Sequence, residues 1–433
     1  MNCEKILTGD VMPIGGYYGP IATYTKDRWA GFTTENFLQD KYFQIIADSG
    51  LNLITTVDCD YTDDPENFIK TMELCEKYGI RIFVKDRELE TLEGEEAIRE
   101  RMAAYNHYKC FAGIRIIDEP ESYTFPMNTD TPHRELSFYC KVASKLNAID
   151  GVLGYVNLFP YYASMEKDFG KIFEDYEDYV NTYSENVPTL KLISWDHYLF
   201  DFQPTRYDVY FRNMSFFREL AKKRNVPFWA FVQAGGQWHR NKKPSVPYYP
   251  TEGQHTWNVN TCLAMGAKGI QYFPLVQPPY GALDENGNIE SKRHGLIGAD
   301  GSITPWFYMA QKSNAQIRAV DEYLMNAEHI GVLPVGETPV EQTRWVECVL
   351  PGTFRELIEV AAPQGALLGC FDYKGKTALY VVNYAHEEAQ EITLRFAKSC
   401  AYETVCAEGK ETGMGTNCTI TLGKGGAKLV LID

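Results

Sequence analysis

A (β/α)8 TIM barrel followed by a small C-terminal antiparallel β-sandwich is the α/β fold class this sequence predicts. Three observations carry that prediction. Over the first 330 residues, short β-branched runs alternate with longer helical stretches, the pattern of parallel strands joined by crossover helices. Eight such units can be counted. After Val332-Leu333-Pro334 the texture changes to alternating strands broken by turn residues. The expected division is a barrel domain over 1–330 and a sandwich domain over 331–433.

In order, the barrel strands are expected at Val11–Tyr17, Leu51–Val57, Arg81–Lys85, Ala112–Ile117, Val152–Asn157, Lys191–Trp195, Phe228–Gln233 and Gly269–Phe273. Helices are expected between them, including Glu35–Asp48, Pro65–Tyr78, Thr131–Asn147, Tyr207–Arg224 and Gly253–Met265. Asp64-Pro65 is a start signal and Ser49-Gly50 a stop signal. In the last hundred residues, Ala366–Tyr373 and Thr377–Tyr384 read as a hairpin about Lys374-Gly375-Lys376, with further strands at Glu391–Phe396, Cys418–Leu422 and Ala427–Ile432. An open doubly wound sheet is the competing fold, but no GxGxxG run follows an early strand. Gly15-Gly16-Tyr17-Tyr18-Gly19 lacks that spacing and reads as a tight turn.

The 433 residues hold 42 Lys and Arg against 58 Asp and Glu, a formal charge of -16 that repels phosphate backbones and anionic lipid. Nucleic acid and membrane are therefore not the expected partners, and a neutral or small one is favoured. Aromatic residues make up 14%, with 29 Tyr and 7 Trp, many in polar, loop-like contexts where flat rings suit sugar faces. The start Met1-Asn2-Cys3-Glu4-Lys5 lacks a secretory pattern, and no apolar run approaches the ~18 residues of a membrane span. Eleven cysteines are scattered with no CxxC pair, the usage of a reducing compartment, so a cytoplasmic location is expected.

In a barrel of this kind the strand C-termini converge on one mouth, where the chemistry is done. The run Gly113-Ile114-Arg115-Ile116-Ile117-Asp118-Glu119-Pro120 delivers two carboxylates to such an end and stops on a proline. The other strand ends bring Tyr17, Tyr18, Asp58, Asp60, Lys85, Asp86, Asn157, Asp196, His197, Gln233 and Tyr272. Two carboxylates facing each other are the minimum machinery for glycoside hydrolysis. Glu119 is the first choice for one, and Asp196, in Ser194-Trp195-Asp196-His197-Tyr198, is the best candidate for the other. Asp58, Lys85, Asp118, Asn157, His197 and Gln233 are expected to hold sugar hydroxyls, and Tyr17, Tyr18, Trp195, Trp238 and Tyr272 to offer ring faces. No HExxH, HxH or EF-hand spacing occurs, so neither a metal nor another cofactor is expected.

At these residues the chain resembles the clan of retaining glycoside hydrolases that use Glu on strands four and seven, and within it the family 42 β-galactosidases. Ile116-Ile117-Asp118-Glu119-Pro120 is similar to the strand-four segment Asn-Glu-Pro/Tyr, which implies an acid/base role for Glu119. Phe228–Gly236 resembles the strand-seven segment, and Gly253–Phe273 the helix and eighth strand that follow. The likeness departs at one point. Where the family pattern reads Glu-Gln, this sequence reads Val232-Gln233, so the expected nucleophile is absent and no other Glu lies on that strand. Three functions follow: a hydrolase working with Glu119 and Asp196, a barrel that binds sugar without cleaving it, or a lyase or aldolase with Lys85 as its Schiff-base amine.

Overall fold

The computed structural model describes residues 5–22, 35–120, 135–166, 169–201, 205–235, 237–238, 247–277, 294–336, 348–349 and 352–433. Among them, β1 (Ile14–Tyr17), β2 (Leu53–Asp60), β3 (Arg81–Lys85), β4 (Phe111–Asp118), β5 (Gly154–Asn157), β6 (Ile193–Trp195), β7 (Phe228–Gln233) and β8 (Ile270–Phe273) form one parallel sheet. Its strand order is β5-β4-β3-β2-β1-β8-β7-β6. The two ends meet where Leu158 N donates to Ser194 O at 2.9 Å and Leu158 bridges Trp195, so the sheet curls into a nearly closed barrel.

One helix follows each strand: α1 (Asp40–Asp48), α2 (Pro65–Tyr78), α3 (Glu95–Met102), α4 (Leu136–Ala148), α5 (Tyr176–Asn186), α6 (Tyr207–Arg224), α7 (Glu252–Ala264) and α8 (Pro305–Asn326). Local chemistry sets several of their ends. Asp64 caps α2 by accepting from Asn67 N at 3.2 Å, Pro65 takes its first turn, and Gly79 ends it in the left-handed region. Thr251 and Gln254 form a reciprocal capping box on α7.

Side chains alternate along each strand, so one set fills the barrel and the other meets the helices. Phe83 stacks on Tyr155 at 4.8 Å between ring centroids, and Trp229 packs edge-on to Phe83, closing the lower interior. Higher up, Tyr17 meets Phe231 at 5.3 Å and Tyr18 meets Phe273 at 5.8 Å.

The separate C-terminal sheet is antiparallel, and it is one sheet bent over on itself. It comprises β9 (Glu328–Val335), β10 (Leu357–Ala361), β11 (Ala366–Tyr373), β12 (Lys376–Asn383), β13 (Gln390–Cys406), β14 (Gly409–Leu422) and β15 (Ala427–Ile432). The predicted hairpin is β11–β12, with Lys374 and Gly375 both at positive φ, the conformation of a two-residue turn that matches strand twist. Strand β13 shifts register between Arg395 and Cys400, which lets its first half pair with β10 and its second half with β15. Ile392, Leu394 and Phe396 thereby share an apolar cluster with Leu368, Leu379 and Val430. Alternate residues Leu367, Phe371, Tyr380 and Leu429 face the other way and join the barrel's own core. The approach there is close: a Cβ on Gly253 of α7 would sit 2.0 Å from His386 O, and one on Gly369 would sit 2.4 Å from Ala264 O.

Candidate active site

Asn157, at the tip of β5, organises the barrel mouth. Its Nδ2 donates to Asp118 Oδ1 and to Asp196 Oδ1, each at 3.1 Å, so those carboxylate oxygens lie no more than twice that distance apart. Its Oδ1 accepts from Ser194 Oγ at 3.1 Å. Ser194 Oγ lies 2.8 Å from Tyr155 OH, which receives Gln271 Nε2, and Gln271 Oε1 accepts from Thr55 Oγ1 at 3.0 Å. A hydroxyl has one proton to give, so the whole chain is oriented: Thr55 to Gln271 to Tyr155 to Ser194 to Asn157, ending on two carboxylates. Every donor points towards the acids.

Asp196 is 5% exposed, while Asp118 and Glu119 are half-buried and reach the mouth. Burial raises the Asp118 pKa from its ordinary value, with the Arg115 charge and the Asn157 hydrogen bond opposing it. Glu119 has φ 47 and donates its backbone N–H to Asn157 O at 2.9 Å. A left-handed non-glycine residue costs ~1–2 kcal/mol, so the turn that places Glu119 is a strained one. Tyr18, at the end of β1, has φ 61. Burial raises the pKa of Tyr198 far above its ordinary value, and the charges of Asp196, Asp118 and Glu119 all raise it further.

Several predicted contacts point elsewhere, because alternation sends them to the helices. Trp195 is no sugar platform: it stacks on Phe217 of α6 at 4.0 Å and 7°. His197 follows it outward, with Nδ1 2.9 Å from Asn213 Oδ1 of α6, and burial pushes its pKa down to about 4. Tyr272 donates to Asn314 Oδ1 of α8 at 2.7 Å and stacks on His255 of α7. Lys85 faces inward, where Nζ bonds Glu90 and donates to Ile116 O at 2.8 Å. Burial lowers its pKa against the pull of Glu90, but an amine held by a carboxylate and a carbonyl is a charged donor rather than a free nucleophile. Asp86 is enclosed by Arg101, Tyr105 and Thr62 as a structural anchor. The side chains of Asp58 and Trp238 lie outside the described residues.

Gln233 is 1% exposed, and among the described residues its Oε1 has no hydrogen-bond partner. Alternation with Trp229 and Phe231 turns it, and not Val232, into the barrel. Sequence reasoning missed Tyr155, Ser194, Tyr198 and Arg115. Arg115 carried a visible signal, a cation in the middle of the apolar run Gly113–Ile117, and its Nε donates to Tyr17 OH at 2.9 Å. Among the described residues no group of three His, Cys, Asp or Glu could hold a metal, and no helix is long and apolar enough to cross a membrane.

A sequence model of the glycoside hydrolase family 42 β-galactosidases matches residues 170–318, from before α5 to the middle of α8. The chain resembles that family. The match spans roughly a third of the chain. Two solved structures extend the likeness across the whole fold. A β-galactosidase from Bacillus circulans sp. alkalophilus is 9% identical with TM-score 0.56, covering 98% of this chain and 100% of that one. A catalytic mutant of a family 42 β-galactosidase from G. stearothermophilus is 10% identical with TM-score 0.54, covering 99% of each chain. At such identities the likeness is one of fold. No curated protein matches the chain. The family match over residues 170–318 supports glycoside hydrolase chemistry in general terms.

Proposed function

We propose that the protein is a glycoside hydrolase that cleaves an oligo- or polysaccharide, with Glu119 and Asp196 as its reacting carboxylates. The observation that carries this reading is the gathering of carboxylates from β4 and β6 about Asn157, whose Nδ2 donates to Asp118 and Asp196 and whose backbone carbonyl accepts from the backbone N–H of Glu119. One acid protonates the leaving oxygen while the other attacks the sugar or activates water. Asn157 holds Asp196 in place. In this reading the barrel of 1–330 is the catalytic domain and 331–433 braces it. The ten cysteines among the described residues form no disulfide with one another, which favours a reducing compartment, and we place the enzyme in the cytoplasm.

One observation favours a variant of this reading. Asn157 Nδ2 joins Asp196 to Asp118 rather than to Glu119, and burial favours the protonated form of Asp118, the form a general acid needs. A panel of nitrophenyl glycosides assayed with wild type, Glu119→Gln, Asp118→Asn and Asp196→Asn separates the two. Losses of at least ~100-fold in Glu119→Gln and Asp196→Asn support the first pair. Loss in Asp118→Asn with activity kept in Glu119→Gln moves the acid by one residue. Activity kept in Asp196→Asn refutes both pairs, and a wild type that binds sugars but cleaves none is a carbohydrate-binding barrel.

A further inference from the structure

We propose that the sugar bound at this mouth carries an acidic group, and that Arg115 receives it. The proposal rests on the hydrolase reading only for the location of the sugar. Two cations enter the barrel from neighbouring strands, and they are treated differently. Lys85 of β3 closes on Glu90. Arg115 of β4 is 5% exposed and forms no ion pair among the described residues, its one hydrogen bond running from Nε to the neutral phenol of Tyr17.

A guanidinium has five N–H donors, and a buried charge left without a partner is costly. Among the described residues Nη1 and Nη2 of Arg115 have no hydrogen-bond partner. Arg115 lies three residues before Asp118 on β4, and its partner Tyr17 ends β1, so the guanidinium stands beside the strand ends that form the mouth. The groups that face this guanidinium are Tyr17, Tyr18, Asp118 and Lys85. Asp118 lies beyond ion-pair distance and is already held by Asn157. A planar fork with two free nitrogens fits a carboxylate, sulfate or phosphate in bidentate fashion. The substrate class that completes it is a uronic acid or a sulfated or phosphorylated sugar. With a formal charge of -16 the protein does not attract anions from a distance, so the preference must be local to this fork.

Matched nitrophenyl glycosides bearing a hydroxymethyl, carboxylate, 6-sulfate or 6-phosphate group test the proposal. In wild type one acidic substrate should exceed its neutral counterpart by roughly 10- to 100-fold in kcat/KM, and which acid wins identifies the group. Arg115→Met should bring that ratio to within about threefold of unity while melting at or above the wild-type temperature, because it removes an unpaired buried charge. If Arg115→Met fails to fold, Arg115→Lys carries the test: it keeps the charge, loses the fork and should lose at least about tenfold of the ratio. A wild type that prefers the neutral sugar, or an acidic preference that survives both substitutions, overturns the proposal. If no glycoside is cleaved, the hydrolase reading fails, and thermal shifts with the free sugars decide the present one. Acidic sugars that stabilise wild type but not Arg115→Lys support it, and equal shifts with neutral and acidic sugars overturn it.

Discussion

Replacing Asn157 by Asp changes one atom and should destabilise the fold in a pH-dependent way. The new carboxylate stands about 3.1 Å from both Asp118 and Asp196, where like charges repel by about 5 kcal/mol per pair at an effective dielectric constant of ~20. Retaining one proton is the cheaper escape. Keeping a carboxyl protonated above its unfolded pKa of ~3.9 costs about 1.4 kcal/mol per pH unit, hence ~4 kcal/mol at pH 7 and ~1.5 kcal/mol at pH 5. The folded state then binds more protons than the unfolded one, so stability falls as pH rises. Urea unfolding of wild type and Asn157→Asp, followed by circular dichroism at both pH values, measures the difference. The variant should lose about 2.5 kcal/mol more at pH 7 than at pH 5. Equal destabilisation at the two pH values would refute the three-carboxylate geometry.

Other perturbations separate packing from chemistry. Trp195→Ala should lower stability by about 3–5 kcal/mol through the lost Phe217 stack, as read by denaturant unfolding, and a raised KM with unchanged stability would return Trp195 to the mouth. His197, held at about pKa 4, takes up its proton only after unfolding. That part of the stability is present above pH ~6.5 and declines by up to ~3 kcal/mol as pH falls towards 4. His197→Gln should flatten this segment of the melting-temperature profile, and an unchanged profile would contradict the assignment. Gly253→Val should weaken the junction between barrel and sheet, because its Cβ would lie 2.0 Å from His386 O. A drop of several degrees in melting temperature is expected, and no change would show that the junction yields freely.

Local patterns made much of the fold legible. Helices Pro65–Tyr78 and Tyr207–Arg224 and strands Arg81–Lys85 and Phe228–Gln233 agree with expectation to the residue, because cap signals and strand ends coincide there. The hairpin at 399–417 was not legible: much of it is exposed, so no apolar alternation marks it. At the mouth the positions were readable and the directions were not. Trp195, His197 and Tyr272 stand at strand ends as expected, but a polar or aromatic residue there can turn inward or outward with the same local sequence. Register decides it, and register is set by strands far away in the chain. The Arg115/Ile117 irregularity against β5 is such a case, since it helps decide which of Asp118 and Glu119 turns towards Asn157.

The seam between β5 and β6 gives the oriented donor chain a second meaning. Among the described residues the backbone joins these strands through the Leu158–Trp195 bridge, whereas side chains cross the gap from Tyr155 to Ser194, from Ser194 to Asn157 and from Asn157 to Asp196. The barrel is thus laced shut by the residues that hold its acids. Neutralising Asp196 weakens the last crossing, so the charge on that carboxylate is felt at the stave joint of the barrel itself.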